Sequence, residues 1–234
     1  MKIVIVGGVA GGASAAARAR RLSEDAEIVL LERGPDVSFA NCGLPYHGGG
    51  EIVERDRLLL QTPESLRRRF NLDVRVRHEA VGIDTASRQL EVSCLQDGTS
   101  YLESYDHLII ATGAQPLIPP IEGKDRAGVF SLRDLADMDA IIAWQSQKAK
   151  TGHAVIVGAG FIGLEMAEQL HHLGMQVTVV EAAPQVLPPL DPEMATLVQR
   201  ELEKHQVRVE LSEMVTSNED DPERAVGVVL TKSG

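Results

Sequence analysis

The chain has 234 residues, 44% of them hydrophobic, which is enough for one large domain or two small ones with apolar cores. A formal charge of −11 with no long basic run argues against nucleic acid and anionic membranes as partners. Two cysteines, Cys42 and Cys94, are too few for a disulfide framework and fit a reducing, cytoplasmic setting.

KIVIV, residues 2–6, reads as a short buried strand, and ASAAARARRL after the glycines as a helix. Lys2 followed by IVIVGGVAGGASAAA also has the outline of a signal peptide. Glycines interrupt that apolar run, however, and Arg18, Arg20 and Arg21 follow at once. No apolar stretch approaches the length of a membrane span. EIVLLE, residues 27–32, reads as a second strand and completes a βαβ start. A polar, Gly-rich loop holding Cys42 comes next, and TPESLRRRF opens a helix after Thr62. From about Asp73 to Tyr105 the pattern changes to short strands, VRVRHE, AVGID, RQLEVSCL and TSYLESY, with a hairpin turn at QDG, residues 96–98. Cys94 falls in an alternating strand and reads as core. HLIIATGAQP is a buried strand ending in a turn.

After the Pro-rich PLIPPIEG the βαβ pattern begins again. LADMDAIIAWQSQKAK is helical, and HAVIVGAGFIGLEMAEQLHHLGMQVTVVE reads as strand, Gly turn, helix, strand. Residues 192–205 predict another helix, and VRVEL and AVGVVL further strands. The fold class is therefore α/β, with two three-layer, Rossmann-like dinucleotide-binding domains, residues 1–115 and 116–234, and a small β insert in the first.

The second glycine signature is Gly158-Ala-Gly160-Phe161-Ile162-Gly163. Gly158 permits the tight turn, Gly160 lets a pyrophosphate approach the backbone, and Gly163 allows close packing of helix on strand. The helix N-terminus supplies donors for the phosphates. Glu181 ends the next strand, where an acid hydrogen-bonds an adenine-ribose 2′-hydroxyl and repels a 2′-phosphate, so the expected nucleotide is NADH. The first signature, Gly7-Gly8-Val9-Ala10-Gly11-Gly12, has Val where the second Gly is expected, and Gly8 and Gly11 are read as restoring the backbone approach. Glu32, followed by Arg33, lies at the corresponding strand end.

Two βαβ units, a strand-rich insert between them and a strand ending Ala111-Thr112-Gly113 resemble the two-dinucleotide flavoprotein disulfide reductases, over essentially the whole chain. The resemblance implies FAD on the first unit and NADH on the second. It also implies a Thr112-Gly113 turn over the flavin side, and an Arg133 segment, Leu132-Arg133-Asp134, that reaches the flavin. Dithiol members carry two Cys separated by four residues, whereas positions 37 and 47 here are Val and His. SFANCGLPY, residues 38–46, is instead similar to the single-cysteine branch of coenzyme A disulfide reductases, NADH-dependent persulfide reductases, and NADH oxidases and peroxidases. Within it the context favours the first two, with Cys42 as the redox-active residue.

A single Cys beside a flavin can cycle between a thiolate and a mixed disulfide, a persulfide or a sulfenic acid. A following helix N-terminus, with Pro45 as an early helical residue, is expected to stabilise the thiolate. Ser14, Arg18 and Arg21 are spaced to share one helix face, where two guanidiniums could hold the phosphates of a coenzyme A-type disulfide or persulfide. The resemblance carries substrate contact onto these residues and onto Ser38 and Asn41, with Asn41 also beside the cofactor. The seven histidines show no metal spacing.

Family members return from the second domain to the first through a Gly-Asp motif and end in a dimerisation domain. The sequence closes at KSG, residues 232–234, before either, so it reads as part of a longer, homodimeric enzyme with an incomplete FAD site. Two other classes remain open. One is a flavin-dependent ferredoxin or rubredoxin reductase, which does not need Cys42. The other is a non-catalytic nucleotide-binding module.

Overall fold

A computed structural model describes residues 1–147, 152–219 and 228–232. The end of the helix read over 135–150, the start of the strand read over 225–230 and the last two residues of KSG lie outside the described residues. The chain divides into two compact units, Met1–Ala40 with Arg55–Gln115, and Asn41–Glu54 with Pro116–Gly234. Residues 41–54, inside the range 1–115 read as the first domain, thus fold with the second unit.

In chain order the elements are β1 (Lys2–Val6), α1 (Gly11–Leu22), β2 (Glu27–Glu32), α2 (Leu44–Gly48), α3 (Pro63–Phe70), β3 (Asp73–Val76), β4 (His78–Asp84), β5 (Gln89–Cys94), β6 (Ser100–Ser104) and β7 (His107–Ile110). They continue with α4 (Leu135–Gln147), β8 (His153–Val157), α5 (Phe161–His172), β9 (Gln176–Glu181), α6 (Pro192–Lys204), β10 (Arg208–Leu211), β11 (Val215–Glu219) and β12 (Val228–Thr231).

The first unit is a parallel sheet in the order β3-β2-β1-β7. Side chains alternate across a strand. Ile3, Ile5, Ile28, Leu30 and Val74 therefore pack on one face with Ala16 of α1 and Leu66 of α3. Val4, Val29 and Leu31 pack on the other with Leu90 and Val92 of β5. Helices, parallel sheet and antiparallel insert β4-β5-β6 make the three layers. Burial on both faces is why KIVIV and EIVLLE are almost continuously apolar. VRVRHE, read as one strand, is divided between two sheets. Arg77 takes a left-handed φ of 58° and donates its N–H to Gly34 O at 3.1 Å, so β3 joins the parallel sheet and β4 starts the insert.

The second unit repeats the order, β10-β9-β8, all parallel, and adds the antiparallel pair β11-β12. β11, VTSNE, has one apolar residue and no alternation, so the sequence pattern does not mark it. Among the described residues no helix is long and apolar enough to cross a membrane.

One buried charge ties the insert to the first sheet. Glu103 of β6, 6% exposed, accepts from Lys2 of β1 at 2.6 Å and from Arg75 of β3. Burial pushes its carboxyl up, but hydrogen bonds from Lys2 and Arg75 and their charges outweigh this and hold it below the usual 4.5. A depressed carboxylate contributes stability above its unfolded pKa, and that contribution is lost as pH falls through the folded value. The protein is therefore expected to lose stability below about pH 4.5, and Glu103→Gln to flatten that acid limb. Glu103→Ala leaves Lys2 with Glu27 at 2.8 Å and Arg75 with Asp73, so it should cost only about 1–3 kcal/mol at neutral pH, read by urea unfolding.

Candidate functional site

The two glycine loops have the same construction. Gly7 and Gly158 take φ of 98° and 103°, left-handed values that favour glycine. Each donates its N–H to the next strand, Gly7 to Leu31 O and Gly158 to Val180 O, both at 2.8 Å. A Cβ on Gly12 would stand 1.7 Å from Gly7 O, and one on Gly163 2.1 Å from Gly158 O. Helices α1 and α5 begin directly above, with Ala10 and Gly160 at their N-caps, no side-chain cap and no acid in the first turn.

The two acids complete the match. Glu32 accepts from Gly8 N at 2.6 Å and Gly34 N at 2.7 Å, one bond to each carboxylate oxygen. Glu181 accepts from Ala159 N at 2.7 Å and Ala183 N at 2.8 Å in the same way. Each acid is thus a brace that fixes its glycine loop, with lone pairs left for a ribose hydroxyl.

The loops differ in what stands above them. A Cβ on Gly160 would meet nothing within 4 Å among the described residues, so its backbone is open to a close-approaching group, and Phe161 and Ile162 beside it are more than half exposed. In the first loop Val9 occupies the corresponding place. A Cβ on Gly8 would stand 2.9 Å from Val37 Cγ1 and 3.1 Å from Glu32 Cβ, so packing beside the brace by itself calls for a glycine there. Gly11 is less constrained, 3.5 Å from Ala111 Cβ. The Ala111-Thr112-Gly113 turn lies against this loop. Ala111 N donates to Val6 O at 2.7 Å, a Cβ on Gly7 would stand 2.2 Å from Ala111 O, and Gly113 takes φ 67°. Arg33 reaches Glu79 at 3.4 Å.

On α1, Ser14, Arg18 and Arg21 all face solvent, as their spacing predicts. Among the described residues neither Arg18 nor Arg21 has an acceptor. Arg20 differs, being held by the main-chain oxygens of Phe70 at 2.8 Å and Asn71 at 2.9 Å. Ser38 belongs to the first unit and takes φ 48°. Its N–H donates to Gly8 O at 2.9 Å and its oxygen accepts from Leu60 N at 3.0 Å, which places a sterically disfavoured residue just ahead of the thiol segment.

Cys42 is exposed, in a single 3₁₀ turn over Asn41–Gly43 that runs into α2. α2 has only five residues, so the expected helix-terminus support for a thiolate reduces to the donors of one short turn. Cys94 is buried in β5 of the other unit. Tyr46, one turn from Cys42, has its phenol pushed above the usual 10.0, first by the charge of Glu165, then by burial, Glu168, Glu51 and Cys42 itself. Arg133 lies in the second unit, where its N–H donates to Asp137 Oδ2 at 2.7 Å. Asp134 Oδ1 accepts from Asp137 N at 3.0 Å and opens α4.

The family described as pyridine nucleotide-disulphide oxidoreductase matches residues 1–234. The chain belongs to that family. An NADH oxidase of Methanocaldococcus jannaschii is 42% identical over 214 residues, covering 91% of this chain and 47% of the relative. The structure of reduced Bacillus anthracis CoADR-RHD matches with a TM-score of 0.93 and 47% identity over 100% of this chain and 41% of that one. The structure of a NAD-dependent persulfide reductase from A. fulgidus matches with a TM-score of 0.90 and 38% identity, over 98% and 42% of the two chains. The chain thus spans about half the length of the curated relatives it matches.

For a pyridine nucleotide-disulphide oxidoreductase, both loops fit a diphosphate: an uncapped helix N-terminus, a left-handed first glycine, and an acid placed by the next strand. The amides that hold the acids, Gly8, Gly34, Ala159 and Ala183, were not apparent from the motifs. Their only mark is a small residue two positions after each Glu. Hydrogen bonds to a charged group are worth about 1.5–3 kcal/mol. Glu181→Ala is therefore expected to speed hydrogen exchange at the Ala159 and Ala183 amides about tenfold or more, and to leave those of Gly8 and Gly34 unchanged.

Proposed function

We propose that the chain is part of an FAD-dependent NADH:disulfide or persulfide oxidoreductase of the coenzyme A disulfide type, with Cys42 as its redox-active nucleophile. The observation that carries this is the exposed Cys42, whose sole fellow cysteine is buried in the other unit. In this reading the second sulfur comes from the substrate. The relatives named NADH oxidase and NAD-dependent persulfide reductase support the same electron donor and a sulfur or oxygen acceptor.

In this reading Gly7, Val9, Ala10, Gly11, Gly12, Glu32, Arg33, Asn41, Thr112, Gly113 and Arg133 hold FAD. Gly158, Gly160, Phe161, Ile162, Gly163 and Glu181 hold NADH, and the Glu181 carboxylate repels a 2′-phosphate. When bound, these groups supply hydride transfer and the two electrons that reduce the sulfur on Cys42. The rest is done by the chain. The Cys42 thiol gives its proton to solvent, and the thiolate attacks one sulfur of the substrate. The substrate S–S bond breaks, a mixed disulfide forms on Cys42 and the second sulfur leaves as a thiolate. Arg18, Arg21 and Ser14 offer an exposed face for the phosphates of a coenzyme A-type substrate, and Ser38 and Asn41 flank the thiol along the chain. The complete enzyme is a homodimer in this reading.

The deciding experiment is Cys42→Ser in the complete enzyme. It should keep FAD and its reduction by NADH and lose disulfide and persulfide turnover, because a serine forms no mixed disulfide. Turnover at the parent rate would instead favour a ferredoxin- or rubredoxin-type reductase. Removing Arg18 and Arg21 together should raise KM for coenzyme A disulfide about ten- to a hundredfold and spare small persulfides, since each charge-assisted hydrogen bond is worth about 1.5–3 kcal/mol. Equal losses on both substrates would make the arginines merely structural.

A further inference from the structure

The proposed function gives no role to the run Gly48-Gly49-Gly50 behind Cys42. Its surroundings explain it. A Cβ on Gly48 would stand 2.7 Å from Met138 Sδ of α4, and one on Gly49 1.8 Å from Gln169 Oε1, 2.7 Å from its Cδ and 2.8 Å from its Cβ, on α5. Gly50 takes φ 86° and turns the chain back. Gln169 is 1% exposed, an unusual place for an amide. Its Nε2 donates to Glu51 Oε1 at 2.9 Å, while its Oε1 faces Gly49 with no hydrogen-bond donor among the described residues. An unpaired buried acceptor is costly, and an apolar side chain would fill the same space without that cost.

The segment is also tightly bonded to itself. Gly49 N donates to Pro45 O at 2.8 Å, Ile52 N to Tyr46 O at 3.1 Å, and His47 Nδ1 lies 2.6 Å from Ile52 O. The turn that carries Cys42 runs into α2 without a break, so whatever orients α2 orients the thiol. α5 is the helix that starts on the second glycine loop.

We propose that Gly48, Gly49 and Gln169 form a seat that docks the Cys42 turn on α5, with Gly49 and Gln169 as positioning residues for the thiol. The proposal takes its importance for turnover from the reading of Cys42 as nucleophile, but the seat itself is tested without turnover. The raised pKa of the Tyr46 phenol, caused first by Glu165 of α5, accords with the close approach of the two helices.

The measurement is hydrogen exchange at the Gly49 and Ile52 amides of this chain, which donate to Pro45 O and Tyr46 O. Gly49→Ala drives a methyl group into Gln169, lifts the turn from α5, and should speed exchange at the Ile52 amide about tenfold. Combining it with Gln169→Gly, which removes the three atoms nearest the new methyl, should return the rate to the parent value. A parent rate in Gly49→Ala, or no rescue in the pair, overturns the seat. Should Gly49→Ala not fold, Gln169→Leu decides: it keeps the volume and drops the bond to Glu51, so faster exchange at the Gly49 and Ile52 amides is expected and an unchanged rate in a folded protein overturns the proposal. Turnover surviving Cys42→Ser would remove the nucleophile and leave the seat standing, so the two failures are distinguishable.

Discussion

Between the carbonyl oxygen at the end of β1 or β8 and the helix that follows there is no room for one more carbon atom. Gly12 and Gly163 exist because their helices pass that close to Gly7 O and Gly158 O. The approach brings each helix N-terminus up to its strand end, and the reversal needs a left-handed residue, supplied by Gly7 and Gly158. It also sets the loop N–H groups within reach of an acid on the next strand. Glu32 and Glu181 use that reach, each joining two amides on either side of a turn. The anion-binding character of both loops follows from this clearance, since donors not spent on caps remain for a ligand.

The units diverge above that common base. Gly160 stands in open space with exposed apolar neighbours, while Val9 stands in its place in the first loop under a turn that closes from β7. One frame thus presents two different walls to what it binds. The β insert is a further asymmetry: it covers a face of the first parallel sheet, with Leu90 and Val92 against Val4 and Leu31 and a buried carboxylate between two cations.

Much of this was legible in the sequence because it is local. KIVIV and EIVLLE became strands of the expected length, Thr62 capped α3, and Ser14, Arg18 and Arg21 came out on one exposed face. What was not legible depends on partners far along the chain. Arg77 divides VRVRHE because Gly34 O accepts its N–H. Gly8 is packed against Val37 and Glu32, a constraint the motif does not report. The helix after Cys42 is short because the chain must turn at Gly50 to meet Gln169, and no periodicity near residue 50 reports a side chain at 169. The same holds for residues 41–54, whose buried faces, Leu44, Pro45 and Gly48, belong to the second unit although their sequence neighbours belong to the first.

That excursion has a consequence for how the protein is made. On the ribosome the first unit can begin to collapse while residues 41–54 are already outside the exit tunnel, but Met138, Met166 and Gln169 do not yet exist. Leu44 and Pro45 then have nothing to pack on, and the thiol is carried by an undocked strap until α5 emerges. The last contacts to close are also among the most distant in sequence, the kind whose loop-closure entropy is met before any burial rewards it. The segment that bears Cys42 is thus synthesised early and docked late.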